Sequence, residues 1–131
     1  MPQSRIYNPF VGSGGGGGSD PNAEEIRTMS FGYNDASPKL VFPIPAGARI
    51  VFAQIQITTP FNDASATLTI GDSGDVSRLM SSSQNIPSES GEYESHTGYQ
   101  YGSTTNVNLT INKGASTQGA GVVVIAYNLN N

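Results

Sequence analysis

Between Ile50 and Thr58 the chain reads IVFAQIQIT, with Val51, Ala53, Ile55 and Ile57 alternating with Phe52, Gln54, Gln56 and Thr58. A period of two puts each set on its own side of an extended backbone, so the stretch is a half-buried strand. The same alternation returns in TTNVNLTIN, where Val107, Leu109 and Ile111 face a core and Asn106, Asn108, Thr110 and Asn112 face away from it. Glu25–Tyr33 reads as a first strand closed by Asn34-Asp35, and Lys39–Ile44 as a second stopped by Pro43 and Pro45. In ATLTIGD, Leu68 and Ile70 share one face and Thr67 and Thr69 the other, which predicts a strand adjacent to IVFAQIQIT across a loop. GVVVIAYNL supplies the last strand. About seven short strands and no amphipathic helix define the fold class as all-β, an antiparallel β-sandwich or jelly-roll-like barrel.

The stretch DSGDVSRLMSSSQNIPSESG is dense in Ser, Asp, Pro and Gly and predicts loop, with Val76, Leu79 and Met80 as one helical turn plugging the core. EYESHTGYQY places Tyr93, Ser95, Thr97, Tyr99 and Tyr101 on one face of a strand broken or bulged at Gly98.

The N-terminus departs from all of this. Gly14–Gly18 are five consecutive glycines inside VGSGGGGGSD, and each glycine loses about 1–2 kcal/mol of backbone freedom on ordering. Such a tract does not hold one conformation unaided. The chain therefore divides into an extended N-terminal arm, 1–19, and a β-sandwich domain, 20–131. Before the tract lies a small apolar cluster with one cation: Arg5, Ile6, Tyr7, Pro9, Phe10 and Val11 are the expected partner-binding residues, by which the arm anchors on another molecule. The bland alternative is a tag scar or a loose tail. A phosphate loop is excluded, because the tract has no Gly-Lys-Ser/Thr and leads into Ser19-Asp20-Pro21.

Composition narrows the function. Only 12% of residues are charged, and the six cations, Arg5, Arg27, Lys39, Arg49, Arg78 and Lys113, form no stripe that would neutralise a phosphate backbone. No nucleic-acid partner is expected. All ten acids follow Ser19, so the domain is acidic and the arm mildly basic. MPQSRIYNPF lacks an apolar signal core, and nowhere do about eighteen apolar residues run together, so neither a secretory signal nor a membrane partner is expected. Without cysteine there is no disulfide and no thiolate metal site. Outward strand positions rich in Asn, Thr and Gln suit wet protein contacts, or simply decorate sheets.

Catalytic chemistry is scarce. His96 is the one histidine, Ser95 and Glu94 beside it point to opposite faces of a strand, and no GxSxG elbow occurs. Asp72 and Asp75 in DSGD, with Asp63 on a neighbouring loop, raise a cation site, but calcium needs about six to eight oxygens; a turn capped by aspartate is the simpler reading. Glu89, Glu92 and Glu94 offer carboxylate pairs for glycoside hydrolysis with nothing to bracket a sugar. The expectation is no catalytic residue, no metal and no cofactor.

The run TTPFNDASATLTIGDSGDVSRLM, followed by the Tyr-rich strand, the Asn/Thr strand and the closing VVVIAY, resembles small β-sandwich virion proteins of tailed bacteriophages: capsid decoration or cement proteins and related head or tail accessory proteins. The likeness covers about residues 42–128. It implies a non-enzymatic virion protein on the capsid exterior, bound to the major capsid protein as a homo-trimer, with an arm that reaches a neighbouring capsid subunit. A tail, fibre or head-completion protein is the alternative within the same biology. Outside it stands a carbohydrate-binding module, with Tyr93, Tyr99 and Tyr101 as an aromatic platform.

Overall fold

A computed structural model describes residues 24–129. Seven strands lie within them: β1 (Glu24–Gly32), β2 (Lys39–Ile44), β3 (Ala48–Thr59), β4 (Thr67–Gly71), β5 (Gly91–Ser95), β6 (Thr105–Asn112) and β7 (Ala120–Leu129). They form two antiparallel sheets, one ordered β1-β7-β3-β5 and the other β2-β6-β4. The result is a β-sandwich, as the alternating pattern predicts. The proposed arm and its anchors Arg5, Ile6, Tyr7, Pro9, Phe10 and Val11 lie outside the described residues.

The chain changes sheet at every connection, and its pairings are nested: β1 with β7, β2 with β6, β3 with both β7 and β5. The loop after Thr59 therefore joins strands of opposite sheets. This corrects the expectation that β3 and β4 are neighbours; Phe61, buried in the core, crosses the layer between them.

Alternation explains which side chains fill that layer. From the four-stranded sheet come Ile50, Ala53, Ile55, Ile57, Val123, Ile125 and Tyr127, and from the other Ile44, Leu68, Ile70, Val107, Leu109 and Ile111. A shift in the β3–β7 register between Ile50 and Phe52 resets the phase of β3. Ile50 is buried and Val51 only partly so, whereas uninterrupted alternation puts Val51 on the core side. Where β1 and β2 leave the layer open, Arg27 spans it, its guanidinium carbon 4.4 Å from the Phe42 ring centroid and 5.9 Å from that of Tyr127.

The segment after β4 departs from the helical turn expected of it. Leu79 and Met80 do plug the core, but they are held by a bridge to Ile70, the Leu79 N–H donating to the Ile70 carbonyl (2.9 Å) and the Ile70 N–H to that of Met80 (3.0 Å). Val76 is exposed. The nearest helix is a short 3-10 turn at Ser82–Gln84. The Tyr-rich strand breaks where glycine permits it: β5 stops at Ser95, Gly98 takes φ +66°, and pairing resumes as a single bridge between Gln100 and Arg49.

Leu68 is fully buried in this layer. We expect Leu68→Ala to cost about 2–5 kcal/mol, read in urea as a lower midpoint with an unchanged slope.

Candidate functional site

Each sheet turns one face to the core and one outward, and the two outer faces differ in chemistry. On the three-stranded sheet the cross-strand pairs are Thr67 with Asn112, Thr69 with Thr110, Leu40 with Asn108 and Pro43 with Asn106. Apart from exposed Leu40 and Pro43 this is the amide and hydroxyl surface the sequence predicts.

The four-stranded sheet is different. Register places Ile26 beside Ala126 and Phe52, Thr28 beside Val124, Gln54 and Glu94, and Ser30 beside Val122, Gln56 and Glu92. An apolar strip of Ile26, Phe52, Val122, Val124 and Ala126 thus crosses three strands. None of the five belongs to the core cluster or packs against it. Ile26 is 44% exposed, Phe52, Val122 and Val124 are half-buried, and Ala126 is buried. Along the β5 border the strip meets polar and acidic groups: Gln54 donates to the Glu94 carboxylate (3.2 Å), Gln56 donates to Gln54 (2.7 Å), and the His96 ring nitrogen Nε2 lies 2.9 Å from Glu94 with Phe52 edge-on at 6.4 Å. Sequence reasoning did not find this strip. Gly121–Ala126 is an unbroken apolar run, and without alternation its two faces cannot be told apart.

Asp72 organises the loop that the sequence leaves irregular. Its Oδ1 accepts from the Gly74 and Asp75 N–H groups (2.9 and 3.0 Å), and its Oδ2 accepts from Arg78 Nε (2.7 Å) and the Tyr101 hydroxyl (2.9 Å). Gly71 leaves room for this turn, because any side chain there strikes the Asp75 carbonyl. Burial pushes the Asp72 carboxyl up, but the hydrogen bonds from Arg78, Tyr101, Asp75 and Gly74 outweigh it and hold the group below the usual carboxylate range. Burial first, then the bond to Asp72, pushes the Tyr101 hydroxyl above the usual phenol range. Arg78 in turn stacks on Tyr99, 4.7 Å from its centroid.

That arrangement decides several readings of the sequence. Asp72 is occupied by protein donors and serves as a turn cap. Asp63 caps its own loop by accepting from the Ser65 N–H and ties it to the β6–β7 loop by accepting from the Ala115 N–H, so DSGD and Asp63 are not brought together as one ligand set. Among the described residues no cluster of three or more acids and histidines could hold a metal. Ser95 is buried and its hydroxyl accepts from Gln84 (3.2 Å), on the opposite face from exposed His96, so a Ser95–His96 nucleophile pair is not assembled. Tyr101 is in the core, Tyr93 leans into it and only Tyr99 is exposed, edge-on to Tyr101 at 74°. The three tyrosines form no flat platform for a sugar, because the chain twists away after Gly98.

Neither a protein-family model nor a curated protein matches the chain. Its fold does match solved structures. A chain in the structure titled cyanophage Pam1 capsid asymmetric unit aligns with a TM-score of 0.68 and 19% identity, over 97% of this chain and 100% of that one. A chain in the acidic stable capsid structure of Helicobacter pylori bacteriophage KHP30 aligns with a TM-score of 0.69 and 14% identity, over 84% of this chain and 91% of that one. At these identities the shared property is the sandwich.

The folded pKa of Asp72 lies below its unfolded value of about 3.9, so the ionised carboxylate favours the folded state. That contribution is complete at neutral pH and disappears as pH falls below about 4. We expect Asp72→Asn to lose about 1.5–3 kcal/mol at pH 7, the worth of hydrogen bonds to a charged group. The gap to the unmodified protein should close as thermal unfolding is followed from pH 7 to pH 3.

Proposed function

We propose that the chain is a structural protein of a bacteriophage capsid, a decoration or cement protein that sits on the outside of the head shell and strengthens it. One observation carries this reading: the fold matches, end to end, a whole chain of about this length in a phage capsid asymmetric unit, and matches a second phage capsid chain as well. The first likeness spans the whole of the other chain and the second about nine-tenths of it.

The chemistry of the described residues agrees with a protein-binding role. Each cation there already has an intramolecular partner: Arg27 stacks on Phe42, Arg78 pairs with Asp72, Lys39 with Asp35, Lys113 with Asn34, and Arg49 with Gln100 and the Gly98 carbonyl. These contacts leave little free positive charge for phosphate. The partner is the major capsid protein and the working form is a trimer, so that several weak contacts act together. In this reading Met1–Ser19 is the bridging arm, and Arg5, Ile6, Tyr7, Pro9, Phe10 and Val11 anchor it on a neighbouring capsid subunit. Burial of Ile6, Tyr7 and Phe10 offsets the cost of ordering the glycine tract.

Deleting residues 2–19 should leave the circular dichroism spectrum and cooperative unfolding of the sandwich in place while abolishing binding to expanded shells that lack this protein, measured by co-sedimentation. Equal binding by the shortened chain would falsify the arm assignment.

A further inference from the structure

The apolar strip on the outer face of the four-stranded sheet has no partner among the described residues. A second apolar group in the chain, Ile6-Tyr7-Asn8-Pro9-Phe10-Val11, precedes the first strand of that same sheet. Both are costly to leave in water in a free protein, since contiguous apolar surface promotes association. Three observations join them.

The first is connectivity. The chain enters the sandwich through β1, the edge strand that contributes Ile26 to the strip, at the end where Glu24 lies opposite Asn128. The second is reach. A dozen residues run from Gly12 to Ala23, half of them glycine, and a glycine-rich linker of that length has an r.m.s. end-to-end distance of about 17–21 Å. Four strands span about 14 Å from first to last, so the tether is matched to its own sheet, and its effective concentration there is in the millimolar range. The third is charge. Arg5 adjoins the apolar group with no acid before Asp20, whereas Glu92 and Glu94 line the β5 border of the strip.

We infer that, before assembly, residues 5–11 rest on the outer face of the chain's own four-stranded sheet, with Ile6 and Phe10 covering Val122, Val124 and Ile26, and Arg5 facing Glu92 and Glu94. This rests on the reading of those residues as an anchor. It adds that the anchor has two alternative seats, its own sheet in the free protein and a neighbouring subunit on the shell. The resting seat keeps two apolar surfaces covered until the shell offers a tighter one, and each shell contact must outcompete it.

The chain has no cysteine, so introduced pairs report proximity without background. In the full-length protein, at low micromolar concentration and without shells, Phe10→Cys with Val124→Cys should form an intrachain disulfide at least about tenfold faster than Phe10→Cys with Thr110→Cys, whose second site is on the amide face. Arg5→Glu should slow the first pair and leave the second unchanged. Equal rates for the two pairs overturn the inference. So does a Phe10–Val124 disulfide found only between chains when the two single-cysteine proteins are mixed, an outcome that assigns the face to a second copy. Shell binding by the arm-deleted protein is read separately. Its loss together with equal disulfide rates leaves the anchor standing without a resting seat. Retained shell binding with a fast intrachain disulfide removes the bridging role and keeps the seat.

Discussion

The two layers of this sandwich are unequal, and the core is closed on the shorter side by a carboxylate instead of a strand. Beyond β4 no further strand extends the three-stranded sheet among the described residues. The segment from Asp72 to Asn85 closes the core there with Leu79 and Met80, its conformation fixed at one end by Asp72 and at the other by Asn85, whose amide donates to the Leu68 carbonyl (3.0 Å). Asp72 gathers two backbone N–H groups, a guanidinium and a phenol around one buried group. A buried carboxylate is costly unless it is fully bonded, and full bonding here requires that the turn, Arg78 and Tyr101 be in place together. Tyr101 belongs to the stretch between β5 and β6, so the same group ties the irregular loop to that later connection.

Outside that knot the molecule is two differently coloured surfaces on a common frame. Amides and hydroxyls suit contacts that stay wet and adjust through water. Valine, isoleucine and phenylalanine suit contacts that exclude it. A dry contact supplies strength and a wet one tolerates imperfect fit, so the two faces are suited to different kinds of contact.

Much of the frame was legible in the sequence because alternation is unambiguous where one face is polar. β2 occupies the residues the pattern assigns it, and β1, β3 and β6 differ only at their ends. The break at Gly98 was legible too, since glycine tolerates the left-handed backbone found there. What escaped has a physical cause in each case. The bulge beside Val51 shifts phase without changing composition. The separation of β3 from β4 into opposite layers depends on Phe61 finding the core, which is a tertiary event. The Asp72 knot joins residues six and twenty-nine positions apart, beyond any local pattern. The apolar strip was hidden because β7 is hydrophobic on both sides. The proposed anchor residues of the arm were singled out from composition alone and lie outside the described residues.

The position of β7 carries a further consequence. β7 lies between β1 and β3 and is hydrogen-bonded to both along nearly its whole length, so among the described residues β1 has no partner in its sheet until β7 has been synthesised. On the ribosome β1 must wait for β7, and long-range pairing of this kind is slow. A message cut short, or translation that stalls before Ala120, yields a chain with an orphaned first strand and no closed layer. Only chains that include β7 can then close the four-stranded layer, a form of proofreading written into the strand order.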